Sequence, residues 1–269
     1  MILIIASEQD PAGINIANNI LEHHDFEQIG DRTYEYSKKE ATMVIIEERT
    51  IFSDFIERRY EEVEALFFVT RHSSVKAIST LSTHSPGNFH DAMHGGAEGK
   101  LCPSNPIAQK LALQSMIKQR DETEIEYEVS LEATHHGPLT SVPTTFFEVG
   151  STLEQWKDVK AGEIVANATM EALSYKETEC PIAVGVGGGH YPEKLSKVVD
   201  KTQWAIGHII PKYAFPIDDG LIKATFEKNG GDTAIFDWKG TPQRSTYSEL
   251  FLSLGYKTLK TKDLTFSLQ

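Results

Sequence analysis

Successive apolar runs in this chain are followed by one kind of side chain. The run 66–69 leads to His72, and the run 77–81 leads to His84. The run 125–131 leads to His135 and His136, and the run 144–147 to Glu148. The run 182–186 ends in Gly187-Gly188-Gly189-His190. If these runs are strands whose ends share one edge of a sheet, the imidazoles and the carboxylate converge. Histidine with carboxylate, leaving one position open for water, is the composition of a catalytic zinc site. Zinc brings its water to a pKa near 7 and polarises a carbonyl, so the expected chemistry is hydrolysis of an acyl bond. There is no HExxH helix and no CxxC pair. A lone histidine is more often an ordinary polar or capped residue, so the argument rests on recurrence. His23, His24 and His90 lack this context, and His94 sits among glycines without deciding the matter.

A second group is hydroxylic. Arg71 stands beside Ser73 and Ser74, and Ser85 is followed by Gly87 and Asn88. An arginine among hydroxyls and backbone N–H groups suits an anionic oxygen or a ribose-phosphate end. The same residues also make turns. Lys194, Lys197 and Lys201 recur at helical spacing, which gives either a phosphate track or a solvated helix face.

These groups need elements to hold them. The run 182–186 reads as a buried strand around which the chain is organised, with a glycine turn presenting His190 and a helix whose first turn accepts Pro192. Strands are also expected at 2–6, 42–46 and 204–210. Helices are expected at 14–21, from Pro106 to Gln119 behind a capping Asn105, at 155–175, 221–229 and 247–254, and residues 55–64 are helix-compatible. Strands alternating with helices predict an α/β fold, with helix layers on both faces of the sheet. Neighbouring strands without a helix between them make that sheet mixed. Residues 89–103 are polar and rich in glycine and histidine, and are expected as a surface loop on one domain spanning 1–269. The 269 residues, 40% hydrophobic, suffice for a full core. The net charge of −13 argues against a general nucleic-acid coat protein, though not against a local basic patch. Cys102 and Cys180 are the only cysteines, too few for a disulfide scaffold and consistent with a reducing cytosol. No apolar run reaches the roughly 20 residues of a membrane span, and the N-terminus lacks the pattern of a signal peptide. A cytoplasmic protein is the expectation.

Taken together and in order, Thr70-Arg71-His72-Ser73-Ser74, Thr83-His84-Ser85-Pro86-Gly87-Asn88, Ala133-Thr134-His135-His136-Gly137-Pro138, Phe147-Glu148-Val149-Gly150-Ser151 and Gly185-Val186-Gly187-Gly188-Gly189-His190-Tyr191 resemble the archaeal and plant type of D-aminoacyl-tRNA deacylase. The resemblance covers nearly the whole chain. It implies a three-layer α/β/α sandwich of the phosphorylase/peptidyl-tRNA-hydrolase type. It also implies zinc as cofactor and aminoacyl-tRNA as partner, bound by its 3′ end and acceptor stem. The implied reaction is hydrolysis of the ester joining a D-amino acid to tRNA, which recycles the misacylated tRNA.

Which residues bind the metal is read from the chain. His136, Glu148 and His190 come first, with His84 and His135 next. Glu148 is either a ligand or the general base, and the sequence leaves both open. His72 and His135 are expected among the catalytic groups, and His72 and His208 could orient ligands from behind. Arg71, Ser73, Ser74, Asn88, Gly187, Gly188, Gly189, Tyr191 and Lys194 are the expected substrate contacts. Competing readings are a carboxypeptidase-like zinc amidohydrolase, a zinc-independent phosphorylase or nucleoside-binding protein, and a tRNA-binding factor with a structural zinc. Structural zinc is usually closed by cysteine, and neither cysteine here has a pairing motif, which favours catalysis.

Overall fold

The structure is a computed structural model that describes residues 1–264. Its elements in chain order are β1 (Ile2–Ser7), α1 (Pro11–His23), β2 (Glu27–Gly30), β3 (Thr33–Tyr36), β4 (Ala41–Ile46), β5 (Ala65–Arg71), β6 (Thr80–His84), α2 (Pro106–Thr123), β7 (Glu128–Leu131), β8 (Thr144–Gly150), α3 (Leu153–Trp156), α4 (Val159–Ala172), β9 (Ile182–Val186), α5 (Glu193–Lys201), β10 (Ala205–Ile210), α6 (Asp219–Asn229), β11 (Thr233–Phe236), α7 (Arg244–Ser253) and β12 (Lys257–Lys260). Short apolar strands and capped helices follow from local chemistry. The Asp10 carboxylate accepts from Ala12 N and Gly13 N to start α1, with Pro11 at the first position. Asn105 does the same for α2 through Ala108 N. Caps of this kind are worth about 1 kcal/mol each.

The main sheet has eight strands in the order β2-β3-β4-β1-β5-β8-β6-β7, and it is mixed. β4, β1, β5 and β8 are mutually parallel, whereas β6 pairs antiparallel with β8 and carries β7 parallel to itself. Side chains alternate faces along each strand. One face presents Ile4, Phe67, Val69, Phe147 and Val149 to the helices α1 and α4. The other presents Leu3, Ile5, Phe68 and Phe146 to Ile56, which lies in the 3₁₀ turn Ile56–Arg59. That turn is all that forms of the helix-compatible stretch 55–64.

The strand β9 is expected in the one mixed sheet, and the structure corrects this. β9 belongs to a second sheet of four parallel strands, β10-β9-β11-β12. The short strands β11 and β12 and the hairpin β2–β3 were not picked out in the sequence. Residues of α2 and α5 pack on one face of the small sheet, and α6 and α7 on the other, so each face has its own helix layer. Residues 89–103 are irregular, but Phe89 and Leu101 are anchored in the core beneath α6 and α7. The chain after β7 ties the sheets together: Ala133 N donates to His190 O, and Thr134 N to Ile209 O.

Candidate metal centre

Glu148 lies in β8 opposite Ser82 of β6 and Thr70 of β5. With a period of two, Glu148, His84 and the residue one step past β5, His72, all fall on the face that carries Phe68 and Phe146. β7 continues the pattern: Ser130 pairs with Ser82, so Glu132, two residues on, points to the same side. The donors therefore meet on a sheet face and not at a shared strand edge. The edge explanation fails because β6 and β7 run opposite to β5 and β8, which puts their ends at opposite rims. The segment 132–136 and the turn carrying His190 complete the cluster from the small sheet's side.

The distances are short. Glu132 Oε2 lies 2.7 Å from His190 Nε2, 3.1 Å from His72 Nδ1 and 3.6 Å from His135 Nε2. Glu148 Oε2 lies 3.5 Å from His72 Nδ1 and 3.8 Å from His84 Nε2. The rings of His135 and His136 are 4.3 Å apart, as are those of His84 and His135. Five imidazoles and two carboxylates form three overlapping sets: His72, Glu132, His135 and His190; His84, His135 and His136; His84, Glu132 and Glu148. Within each set the donor atoms lie within 4.8 Å of one another. The sequence-chosen set of His84, His136, Glu148 and His190 is thus drawn together, but His136 and His190 fall in different sets, which share His135.

Glu132 is the member that sequence reasoning missed. The strand before it was recognised, but the alternation was not carried one step beyond Leu131, where it places a carboxylate on the site face. Ser82 Oγ donates to its other oxygen.

The ring orientations suit a metal. His84 Nδ1 lies 3.1 Å from Ser85 O, His135 Nδ1 2.8 Å from Ala133 O, and His136 Nδ1 2.5 Å from Gly137 O. An N–H donated to a carbonyl fixes the tautomer and leaves Nε2 with its lone pair toward the cluster. His136 holds its place with φ of 45°, in the left-handed region that non-glycine residues seldom occupy. Buried His84 Nε2, Glu132 Oε2 and Glu148 Oε2 have no hydrogen bond of good geometry, although imidazole nitrogens approach Glu132 Oε2 to 2.7 Å and Glu148 Oε2 to 3.5 Å. Orphaned buried donors and acceptors are costly, and an ion between them removes that cost.

Charge points the same way. Burial opposes ionisation of Glu132, but His190 and His72 outweigh it and hold its carboxyl well below the usual range. For Glu148, burial and the Glu132 charge are outweighed by His72 and His84. In turn burial opposes the His72 charge, yet Glu132 and Glu148 raise its pKa to about 10, and Glu148 raises that of His84. Burial, with His84 and His136 alongside, pushes His135 well down; burial and His84 bring His136 to about 4. The two buried carboxylates thus favour positive charge beside them, which a divalent ion would also supply.

Other expected residues are placed as follows. Tyr191 OH lies 2.7 Å from His72 Nε2. His208 is wholly buried, its Nδ1 3.0 Å from Thr134 Oγ1 and its Nε2 2.8 Å from Cys102 O, so it braces the segment that carries His135. The Arg71 guanidinium lies 5.1 Å from the Trp156 ring. Ser73 is exposed, and Ser74 Oγ accepts from Lys76 N in a turn. Asn88 is buried and donates to Gly95 O at 2.9 Å, so it serves its own loop. Lys194 is paired with Asp237 at 2.6 Å and Lys201 with Asp200 at 3.0 Å, which neutralises much of the lysine track. Gly187 N donates to Ile210 O and Gly188 N to Gly240 O, so those amides hold the turn. Gly187 has φ of 97°, and a Cβ there would come 2.2 Å from Thr241 Oγ1, so the turn requires glycine. Gly189 faces open space.

Fold and site together define an α/β protein with a buried His/Glu centre of metal-ligand composition where its two sheets meet. The D-aminoacyl-tRNA deacylase family pattern matches residues 59–259, and the chain belongs to that family. It is 35% identical to the D-aminoacyl-tRNA deacylase of Thermococcus onnurineus over 254 residues, covering 90% of this chain and 92% of the relative. The enzyme of the same name from Pyrococcus furiosus is 34% identical, covering 97% and 100%. That from Methanosarcina mazei is 35% identical, covering 98% and 93%. The crystal structure of AF0625, a conserved protein of unknown function, superposes with a TM-score of 0.91 at 31% identity, covering 100% of this chain and 99% of that one. Among the described residues no helix is long and apolar enough to cross a membrane.

Proposed function

We propose that this chain hydrolyses the ester between a D-amino acid and the 3′ end of tRNA, using a zinc ion held by the His/Glu centre. The observation that carries the reading is the buried trio His84, Glu132 and Glu148, whose ligand atoms lie within 4.8 Å of one another and whose Nε2 and Oε2 atoms have no hydrogen bond of good geometry. His135, His136 and His190 complete the donor set. When bound, zinc supplies a Lewis acid for the ester carbonyl and lowers the pKa of a water.

The remaining residues bind, orient and move protons. Glu148 is wholly enclosed between His72 and His84, a place that suits a ligand or a base equally well. His72 links the two carboxylates to the half-buried Tyr191 hydroxyl, a path for the proton exchanged when the ester opens. Arg71, Ser73 and Ser74, in the chain flanking His72, would meet the ribose-phosphate end.

The test is alanine at His136 and at His190, with zinc content and deacylation of D-aminoacyl-tRNA both measured. Loss of zinc and activity is expected. Full zinc and full activity in both variants discards the assignment.

A further inference from the structure

Next to the metal centre, a second small site lies at the carboxyl ends of β4, β1 and β5. It is a crevice of about 40 Å³, its lining including Ser7, Gln9, Asp10, Arg49, Thr50 and Arg71. The connections leave the sheet here in opposite directions. After β1 the chain passes to α1 on one face, and after β4 it passes to the 50–59 segment on the other. Open α/β sheets hold ligands at this kind of divergence.

The crevice adjoins the centre from both sides. Arg71 directly precedes His72 in the chain. The 50–59 segment is fastened to the stretch just past His136: Phe55 N donates to Leu139 O at 2.7 Å, and Leu139 N to Asp54 Oδ1 at 2.7 Å.

Its lining carries two arginines against one aspartate on an acidic molecule. Acidic residues outnumber basic ones by 39 to 26, yet neither Arg49 nor Arg71 has a carboxylate partner among the described residues. The acids around them are engaged elsewhere: Glu8 and Glu47 with Arg32, and Glu48 with Arg59. Asp10 lines the crevice, but its oxygens already accept from Ala12 N, Gly13 N, Thr70 Oγ1 and Arg71 N. Each guanidinium lies over a ring, Arg49 at 5.3 Å from Phe52 and Arg71 at 5.1 Å from Trp156, and Phe52 is 52% exposed. A guanidinium laid on a ring keeps its edge donors for an anion, and an exposed ring beside it offers a face to a base.

We propose that this crevice binds a backbone phosphate of an unpaired RNA end, with Arg49 and Arg71 as donors and Phe52 as a stacking face for the adjoining base. It rests on the tRNA reading above, and sets where the strand runs as its terminal ester enters the metal centre. Two arginines also fit a contact that spans few phosphates.

The test compares wild type with Arg49→Gln, an exposed position that supplies no side-chain hydrogen bond to the fold. Binding of uncharged tRNA is measured across a salt series. Hydrolysis is measured on D-aminoacyl-tRNA and on D-aminoacyl-adenosine, which has no phosphodiester. The variant is expected to bind tRNA about tenfold more weakly, with a slope of log K against log salt shallower by about 0.7. Its kcat/KM on tRNA, relative to that on the adenosine ester, is expected to fall by a similar factor through KM. Arg49→Lys restores the slope but not the full affinity, since it lacks the planar fork. Equal affinity and slope in wild type and Arg49→Gln, or an equal loss on both substrates, overturns the proposal. Arg49-dependent tRNA binding with no hydrolysis of either substrate overturns the deacylase reading and leaves the crevice standing.

Discussion

His190 Nε2 lies 2.7 Å from Glu132 Oε2, and the two residues come from different sheets. His190 follows β9 of the small sheet, and Glu132 follows β7 at the rim of the large one. The contact makes the centre depend on how the sheets dock, and it puts a residue outside the sequence-chosen ligand set at the middle of the cluster. Glu132→Gln keeps the shape but removes the charge that His72, His135 and His190 face. Zinc content measured after gel filtration is expected to fall below half, and kcat/KM for deacylation by about a hundredfold or more. A variant with full zinc and activity would remove Glu132 from the centre.

Tyr191 hydrogen-bonds to the cluster through His72, with its hydroxyl 2.7 Å from Nε2. Tyr191→Phe removes that partner and leaves the ring. A loss of about tenfold in kcat with near-normal zinc is expected, because the change frees the His72 ring to turn without removing a ligand. An unchanged kcat and pH profile would show that the hydrogen bond has no part in positioning His72.

Gly150 ends β8 where His72 must pass. A Cβ added there would stand 2.5 Å from Thr80 Oγ1 and 3.0 Å from His72 Cβ. Gly150→Ala is therefore expected to cost about 1–3 kcal/mol of stability, read from denaturant unfolding, and to lower zinc retention by displacing His72. Wild-type stability would mean that the β8–β6 edge gives way more easily than its register suggests.

The sequence carried more of the site than of the topology, for identifiable reasons. His72, His84, His135, His136, Glu148 and His190 stand out because polar side chains interrupt apolar runs. Glu132 does not, because Glu128, Ser130 and Glu132 form an unbroken polar alternation that also fits a solvated strand face. The antiparallel turn of β6 against β8 depends on long-range pairing that local pattern does not encode, and so the shared strand edge was expected wrongly. β11 and β12 are four residues each, and β2 is wholly exposed; β11 is apolar but too short to stand out. The second sheet therefore stayed hidden, and β9 was assigned to the first. The α/β class and the mixed main sheet followed from strand and helix alternation.

His208 gives a prediction about acid. Burial lowers its pKa from 6.5 to about 4, and the neutral ring is held between Thr134 and Cys102 O. The folded value lies below the unfolded one. As pH falls below about 6.5 the unfolded chain takes up a proton that the folded chain refuses, so stability drops until the folded ring titrates near 4. The full loss is about 3 kcal/mol. Denaturant midpoints of His208→Gln between pH 4 and 6.5 are expected to fall less steeply than those of wild type, although the variant starts lower at pH 7. Parallel slopes would mean that His208 is protonated in the fold.

The central claim is that the imidazoles and the two carboxylates gather around one kind of divalent ion on which ester cleavage depends. The direct measurement is deacylation of matched D- and L-aminoacyl-tRNA before chelation, after chelation and after zinc is restored. Rapid hydrolysis of the D-ester is expected, with its loss when the metal is removed and its return with zinc. Hydrolysis of the D-ester at full rate in chelated protein with no measurable metal would contradict it.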